Sequence, residues 1–144
     1  MESSRTIYKY VLEGDPIPLA RCRISHRWGH LRVFDSQKEL KLISQITLKS
    51  QHGNRPLFSG PLRVDAYFYF HIPRSHKKTK PGYFHIIKPD GDNLVKMILD
   101  LGNGVLFKDD CIVSQILCSK MYDDHPRTEF YIYKLENHGK KKEK

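Results

Sequence analysis

Leu62-Arg63-Val64-Asp65-Ala66-Tyr67-Phe68-Tyr69-Phe70 is the stretch on which the fold turns. Leu62, Val64, Ala66, Phe68 and Phe70 alternate with Arg63, Asp65, Tyr67 and Tyr69, and a strict period of two marks a strand with one face on a core. Gly60-Pro61 opens it and Pro73 closes it. Upstream, Arg5 to Glu13 is rich in β-formers and stops at Gly14-Asp15-Pro16, which predicts a first strand. Ser36 and Glu39 have capping-box spacing, and Leu40, Ile43, Ile46 and Thr47 recur at helical intervals, so a helix is expected over 36–50, ended by Gly53-Asn54. Downstream, Leu94, Ile98 and Leu101 predict a short helix over 92–101, with Gly102 and Gly104 supplying the stop. Residues 111–122 read as a strand, and Asp123-Asp124-His125-Pro126 turns the chain into a last strand from Thr128 to Leu135, in hairpin order. The expected fold class is α+β: one domain with a mixed sheet of about four strands and two main helices.

At 144 residues and 16.9 kDa the chain has room for one core and no more, assigned to 1–139, with 140–144 as a basic tail expected to be disordered. With 39% hydrophobic residues it is not a disordered chain. No apolar run reaches the ~18 residues of a membrane span and no signal peptide follows Met1, so a soluble, cytoplasmic protein is expected. Cys22, Cys111 and Cys118 contain no C-x-x-C pair and read as reduced, partly buried thiols. The formal charge is +9, of which the tail supplies only +3, so the body is itself basic and suited to a polyanion, nucleic acid above all. Two cationic segments stand out. Arg21, Arg23, His26, Arg27, Trp28, His30 and Arg32 interleave charge with one indole, which suits phosphate contacts plus stacking and equally suits a solvated loop. Arg74, His76, Lys77, Lys78 and Lys80 form the second.

Against this basic background, seven of the 16 acidic residues fall between positions 90 and 124, and all are aspartate: Asp90, Asp92, Asp100, Asp109, Asp110, Asp123 and Asp124. Carboxylates facing a phosphodiester repel it unless a cation lies between, and hard divalent cations take oxygen ligands of this kind. In Lys88-Pro89-Asp90-Gly91-Asp92-Asn93-Leu94-Val95-Lys96, Gly91 permits a tight turn and Asp92 is placed to cap the helix, so that Asp90 and Asp92 can face one point. Lys96 and Asp100 continue a polar stripe at four-residue intervals, and Asp109-Asp110 can lie beside Asp92 if the strand from 111 packs along the helix. Taken singly, the stripe is better read as exposed i,i+4 ion pairs and Asp109-Asp110 as a plain turn. Asp123-Asp124 is assigned to the hairpin turn, and His71, His76 and His85 to surface or core roles.

Together these segments resemble the RusA family of Holliday-junction resolvases, metal-dependent endonucleases common in bacteria and their prophages. The resemblance rests on Lys88-Pro89-Asp90-Gly91-Asp92-Asn93-Leu94 with Lys96, Leu99-Asp100-Leu101-Gly102-Asn103-Gly104-Val105, and Lys108-Asp109-Asp110 leading to Lys120-Met121-Tyr122, and it extends over roughly 7–135. It implies that Asp90, Asp92 and Asp110 are the metal-binding catalytic carboxylates and Lys96 the essential lysine, with Asp100 and Asp109 accessory. Gly91 replaces a larger apolar residue of the family, and Cys22 interrupts what is usually Arg-Pro-Arg, which bears on DNA affinity. The expected reaction is in-line attack of a metal-bound hydroxide on a DNA phosphodiester with Mg²⁺ as cofactor and Mn²⁺ as a substitute, leaving 5′-phosphate and 3′-hydroxyl ends. Arg21, Arg23, Arg27, Arg32, Arg74, Lys77, Lys78 and Lys80 are expected to hold the arms of a four-way junction through phosphates. Two symmetric cuts imply a homodimer, with the strand 62–70 or the 127–135 edge as its expected interface. Neither a membrane nor a small-molecule substrate is expected. Two other readings stay open: a non-catalytic nucleic-acid-binding module, and a nuclease for branched or flap DNA without four-way preference.

Overall fold

The computed structural model describes residues 6–20 and 23–137, the side chains of Arg23, Arg27 and Val33 excepted, so the expected tail at 140–144 lies outside the described residues. Along the chain run β1 (Ile7–Glu13), β2 (Arg23–Arg27), β3 (His30–Phe34), α1 (Lys38–His52), β4 (Leu62–Phe70), α2 (Gly91–Gly102), a 3-10 turn (Asp110–Ile112), β5 (Val113–Tyr122) and β6 (Arg127–Lys134). The architecture is α+β, with a mixed sheet in the order β1-β6-β4-β5 and two helices against it.

β4 has the bounds its alternation predicts, and Leu62, Val64, Ala66, Phe68 and Phe70 are between 0% and 7% exposed. The opposite face is less simple. Asp65 is buried there, held by Arg63 through two bonds of 2.7 and 3.0 Å, the forked geometry that compensates a desolvated carboxylate. The core is completed by Tyr10 of β1, Phe130 and Ile132 of β6, and Leu94, Val95, Met97, Ile98 and Leu101 of α2.

The expected hairpin of the last two strands is not formed. β5 pairs parallel to β4, which requires a crossover, and α2 is that crossover; β6 pairs antiparallel to β4 on its other side and to β1. The Asp123–Pro126 segment passes over the end of β4, where the Asp123 N–H donates to the Phe70 carbonyl at 2.9 Å. Neither β4 nor β6 is therefore an edge, and the expectation that 127–135 forms one is corrected. β1 and β5 are the edges. Tyr83 and His85 cover the last residues of β5 by backbone bonds at Tyr122 and Lys120, leaving Ser114 to Cys118 exposed.

The expected helix over 36–50 appears at Lys38–His52, with Gly53 ending it at φ 67°. Its N-cap is Gln37, without a side-chain cap bond, so the Ser36/Glu39 capping box does not form; Asp35 instead accepts the Gln37 N–H at 2.9 Å. The apolar face is also rotated from the expected one. Leu48 and His52 are buried, whereas Leu42, Ile43 and Ile46 are 57%, 64% and 61% exposed. His52 explains the rotation in part. Its Nε2–H donates to the Pro56 carbonyl at 3.0 Å, which leaves Nδ1 to accept the buried Tyr10 hydroxyl at 2.7 Å. Burial pushes that hydroxyl's pKa up to about 12. Tyr10→Phe strands Nδ1 without a donor and is expected to lower stability by about 1–3 kcal/mol, read as a shifted urea midpoint with an unchanged slope.

The expected basic loop is a two-stranded hairpin of its own, β2 against β3, with Ser25 opposite Arg32 and Arg27 opposite His30. Its turn, Trp28-Gly29, lacks the usual Asn-Gly or Asp-Gly signature, which is why sequence reading misses it. Among the described residues no helix is long and apolar enough to cross a membrane.

Candidate active site

The chain approaches α2 through Lys88-Pro89-Asp90, and Asp90 is the helix N-cap in extended backbone (φ −70°, ψ 143°). The cap was expected at Asp92; instead Asp92 lies in the first turn, and Asp90 makes no side-chain cap bond. Both carboxylates are thereby left free at one helix end, whose partial positive charge favours anions. Asp92 and Lys96 are 3.9 Å apart but 70% and 63% exposed, so their attraction is weak and Lys96 remains available. Asp100 does not extend this stripe: Lys41 of α1 reaches it at 3.4 Å and is itself held by Asp35 at 2.6 Å.

Lys120, whose role sequence reading missed, fixes the approach to Asp90, and His85, expected in a surface or core role, is a core residue beside it. Lys120 of β5 donates from Nζ to the Ile87 and Pro89 carbonyls, at 2.7 Å each. His85 is buried, stacked on Phe70 at 3.9 Å between centroids and tilted against Tyr122 at 5.0 Å. Burial and then the Lys120 charge hold its pKa below the ordinary value, and its Nδ1 has no partner. The signal for Lys120 was present: Ile116, Cys118, Lys120 and Tyr122 share the register of the core-facing residues of β4, where a lysine needs polar partners. Cys118 lies directly under the helix start, close enough that a Cβ on Gly91 would stand 3.1 Å from its sulfur. Cys111 and Cys118 are free and exposed, a correction to the expected partial burial of thiols; Cys22 is outside the described residues.

Asp110 is at the other end. Its N–H donates to Oδ1 of Asn103, the C-cap of α2, at 2.9 Å. Burial first, then the Asp109 and Asp100 carboxylates, push the Asp110 carboxyl up, while the Cys111 N–H holds Asp109 down. β5 thus runs along α2 in the opposite sense, with Asp110 at the helix C-terminus and Cys118 and Lys120 at its N-terminus. At 1.5 Å per residue, Asp90 and Asp92 lie roughly 15–20 Å along the axis from Asn103. Packing of the strand along the helix therefore separates Asp110 from Asp92 instead of bringing them together. Among the described residues, no three His, Cys, Asp or Glu side chains of one chain are grouped to hold a metal ion. Asp90 and Asp92 do fit as a partial set, because Mg²⁺ commonly takes one or two carboxylates and fills its shell with water and phosphate oxygens.

Lys88 lines the depression beside Asp90, and the other basic residues lie on two segments. Arg74, Lys77, Lys78 and Lys80 are exposed on the segment that leads from β4 to His85. Arg32 is exposed on the hairpin, Arg23 and Arg27 belong to β2 with side chains outside the description, and Arg21 is outside the described residues. The hairpin is anchored beside the site: the Leu19 N–H donates to the Asn93 carbonyl at 3.1 Å, and Gln37 bonds the Ala20 N–H and the Pro18 carbonyl at 2.9 Å each. Pro18, Leu19, Lys88, Pro89, Asp90 and Asn93 line an open depression there.

The sequence profile described as Endodeoxyribonuclease RusA matches residues 13–133. The chain is also 32% identical, over 133 residues, to a Bacillus subtilis (strain 168) protein described as "Uncharacterized protein YqaN", covering 86% of this chain and 94% of that one.

Proposed function

The chain belongs to the RusA family of Holliday-junction endodeoxyribonucleases, and from that premise we propose that it resolves four-way junctions by paired, Mg²⁺-dependent cuts made at Asp90, Asp92, Lys96 and Asp110. The observation that carries this is the pair of carboxylates without a cap bond at the start of α2, beside the exposed Lys88 and Lys96, which suit an incoming phosphodiester. A bound divalent cation supplies the neutralising charge and water activation that hydrolysis needs. Asp90 and Asp92 contribute oxygen ligands, Lys96 faces charge developing on the phosphate, and Lys120 keeps the backbone before Asp90 in place. The test is cleavage of a labelled synthetic four-way junction beside a linear duplex, with Mg²⁺ or EDTA. Symmetric, metal-dependent cuts in the junction alone support the reading.

The distance of Asp110 gives a homodimer a specific task. Two β5 edges paired antiparallel about a two-fold axis near Ser114 would bring the Asp110 turn of one chain opposite Cys118 of the other, and Cys118 lies beneath Gly91 and Asp92. The exposed Ile116 and Leu117 lie on that edge. Without a second chain the separated carboxylates favour the other reading, a branched-DNA-binding module that needs no metal.

Arg32, Arg74, Lys77, Lys78 and Lys80 are the proposed phosphate contacts, joined by Arg21, Arg23 and Arg27. Neutralising about six phosphates predicts that junction affinity falls about 1,000-fold between 50 and 200 mM salt, checked by titrations in EDTA. A flat dependence would remove the basic segments from the interface.

A further inference from the structure

Trp28 is the one tryptophan of the chain, and it is 91% exposed at the tip of the β2–β3 hairpin. Its φ of 57°, followed by Gly29 at 72°, makes a two-residue turn of the kind that asparagine, aspartate and glycine favour, and a bulky side chain is uncommon in that region. The fold gains nothing visible from an indole held there. Ile24 and Leu31 of the same hairpin are 63% and 60% exposed, so the hairpin does not bury its residues against the main sheet. The segment that leads to it, Pro18 to Ala20, is tied to Asn93 at the start of α2, beside Asp90, and to Gln37 at the start of α1. Five-residue strands extend roughly 17 Å, which sets how far the tip can reach beyond that segment.

Around the indole are exposed His26, His30 and Arg32, on a chain of net charge +9, which suits a polyanion. Nucleic-acid bases offer a flat face to an indole, but in an intact duplex those faces are covered by their neighbours. They become accessible where stacking is interrupted, as at a branch point. We propose that Trp28 is a stacking wedge: the basic hairpin follows the phosphates while the indole covers an unstacked base at the branch. This rests on the DNA-cleaving reading above and adds to it how branched DNA is told from linear duplex.

Because Trp28 is the sole tryptophan, its emission reports the contact directly. The wild type is titrated in EDTA with a synthetic four-way junction, a linear duplex of equal length and a single strand. Quenching by the junction and not by the duplex is the expected result. Trp28→Asn removes the indole and suits the turn, so the variant should melt at or above the wild-type temperature; it should bind the junction about 10-fold more weakly and the duplex equally well. Emission unchanged by every DNA, with junction affinity unaltered in Trp28→Asn, would overturn the proposal. So would an emission shift produced by raising the protein concentration alone, which would assign the indole to a second copy of the chain. A junction that quenches Trp28 but is never cut under any metal would retain the wedge and remove the nuclease reading, so the two fail separately.

Discussion

Asp92→Asn and Asp110→Asn chains, each reducing junction nicking by about 100-fold or more alone, should recover about a quarter of the wild-type rate when mixed in equal amounts and allowed to exchange. The expectation follows from where the carboxylates stand. Asp92 is at the N-terminal end of α2 and Asp110 is bonded to the residue that caps its C-terminal end, so one chain does not bring them onto one cation. If each site combines Asp90 and Asp92 of one chain with Asp110 of the other, a mixed pair holds one intact site and one doubly defective site. Random exchange makes half the dimers mixed and hence a quarter of the sites intact. If each site lies within one chain, every site carries a substitution and mixing restores nothing. Circular dichroism on each variant separates loss of chemistry from loss of fold, since both aspartates have exposed or half-buried side chains whose amide replacements leave the core untouched.

Lys120→Met is expected to slow cleavage about 100-fold while junction affinity in EDTA stays within about 2-fold, because a misplacement of about 1 Å in a reacting group costs that much in rate. Lys120 touches no proposed phosphate. It bridges the carbonyls of Ile87 and Pro89 at 2.7 Å each, and among the described residues it is the one β5 side chain bonded to the peptide entering Asp90. Methionine keeps the stem's length and removes the donors, so the loop loses its anchor but β5 keeps its packing. A single-turnover rate equal to wild type at saturating protein would show that His85, stacked on Phe70 and bonded through its N–H to the Lys120 carbonyl, suffices to hold the loop.

Much of the fold was legible in the sequence. β4 needs only its own alternation, and α2 only the spacing of Leu94, Ile98 and Leu101, because each buries one face and the period of that face is local information. The β2–β3 hairpin was not legible, since Trp28 stands where a turn signal would be. The burial of α1 was misread by about one residue's rotation, because the inward face is set in part by His52 bonding Tyr10, 42 positions away. The acidic residues were identifiable as a chemical group, but their convergence was not. Whether Asp110 meets Asp92 depends on the direction in which β5 passes α2, and no spacing encodes a direction.

The sequence by itself determined the composition of the site and the elements that carry it: aspartates flanking a helix start, a basic surface to receive phosphate, an alternating central strand and the family to which these belong. Tertiary structure alone decided that β5 runs parallel to β4 and opposite to α2, that Lys120 closes on the loop before Asp90, and that Asp110 ends a helix length from Asp92. The physical reason is range. Periodicity and capping act within a few residues, whereas strand order and the meeting of distant side chains are set by which hydrophobic faces and backbone edges can be satisfied together.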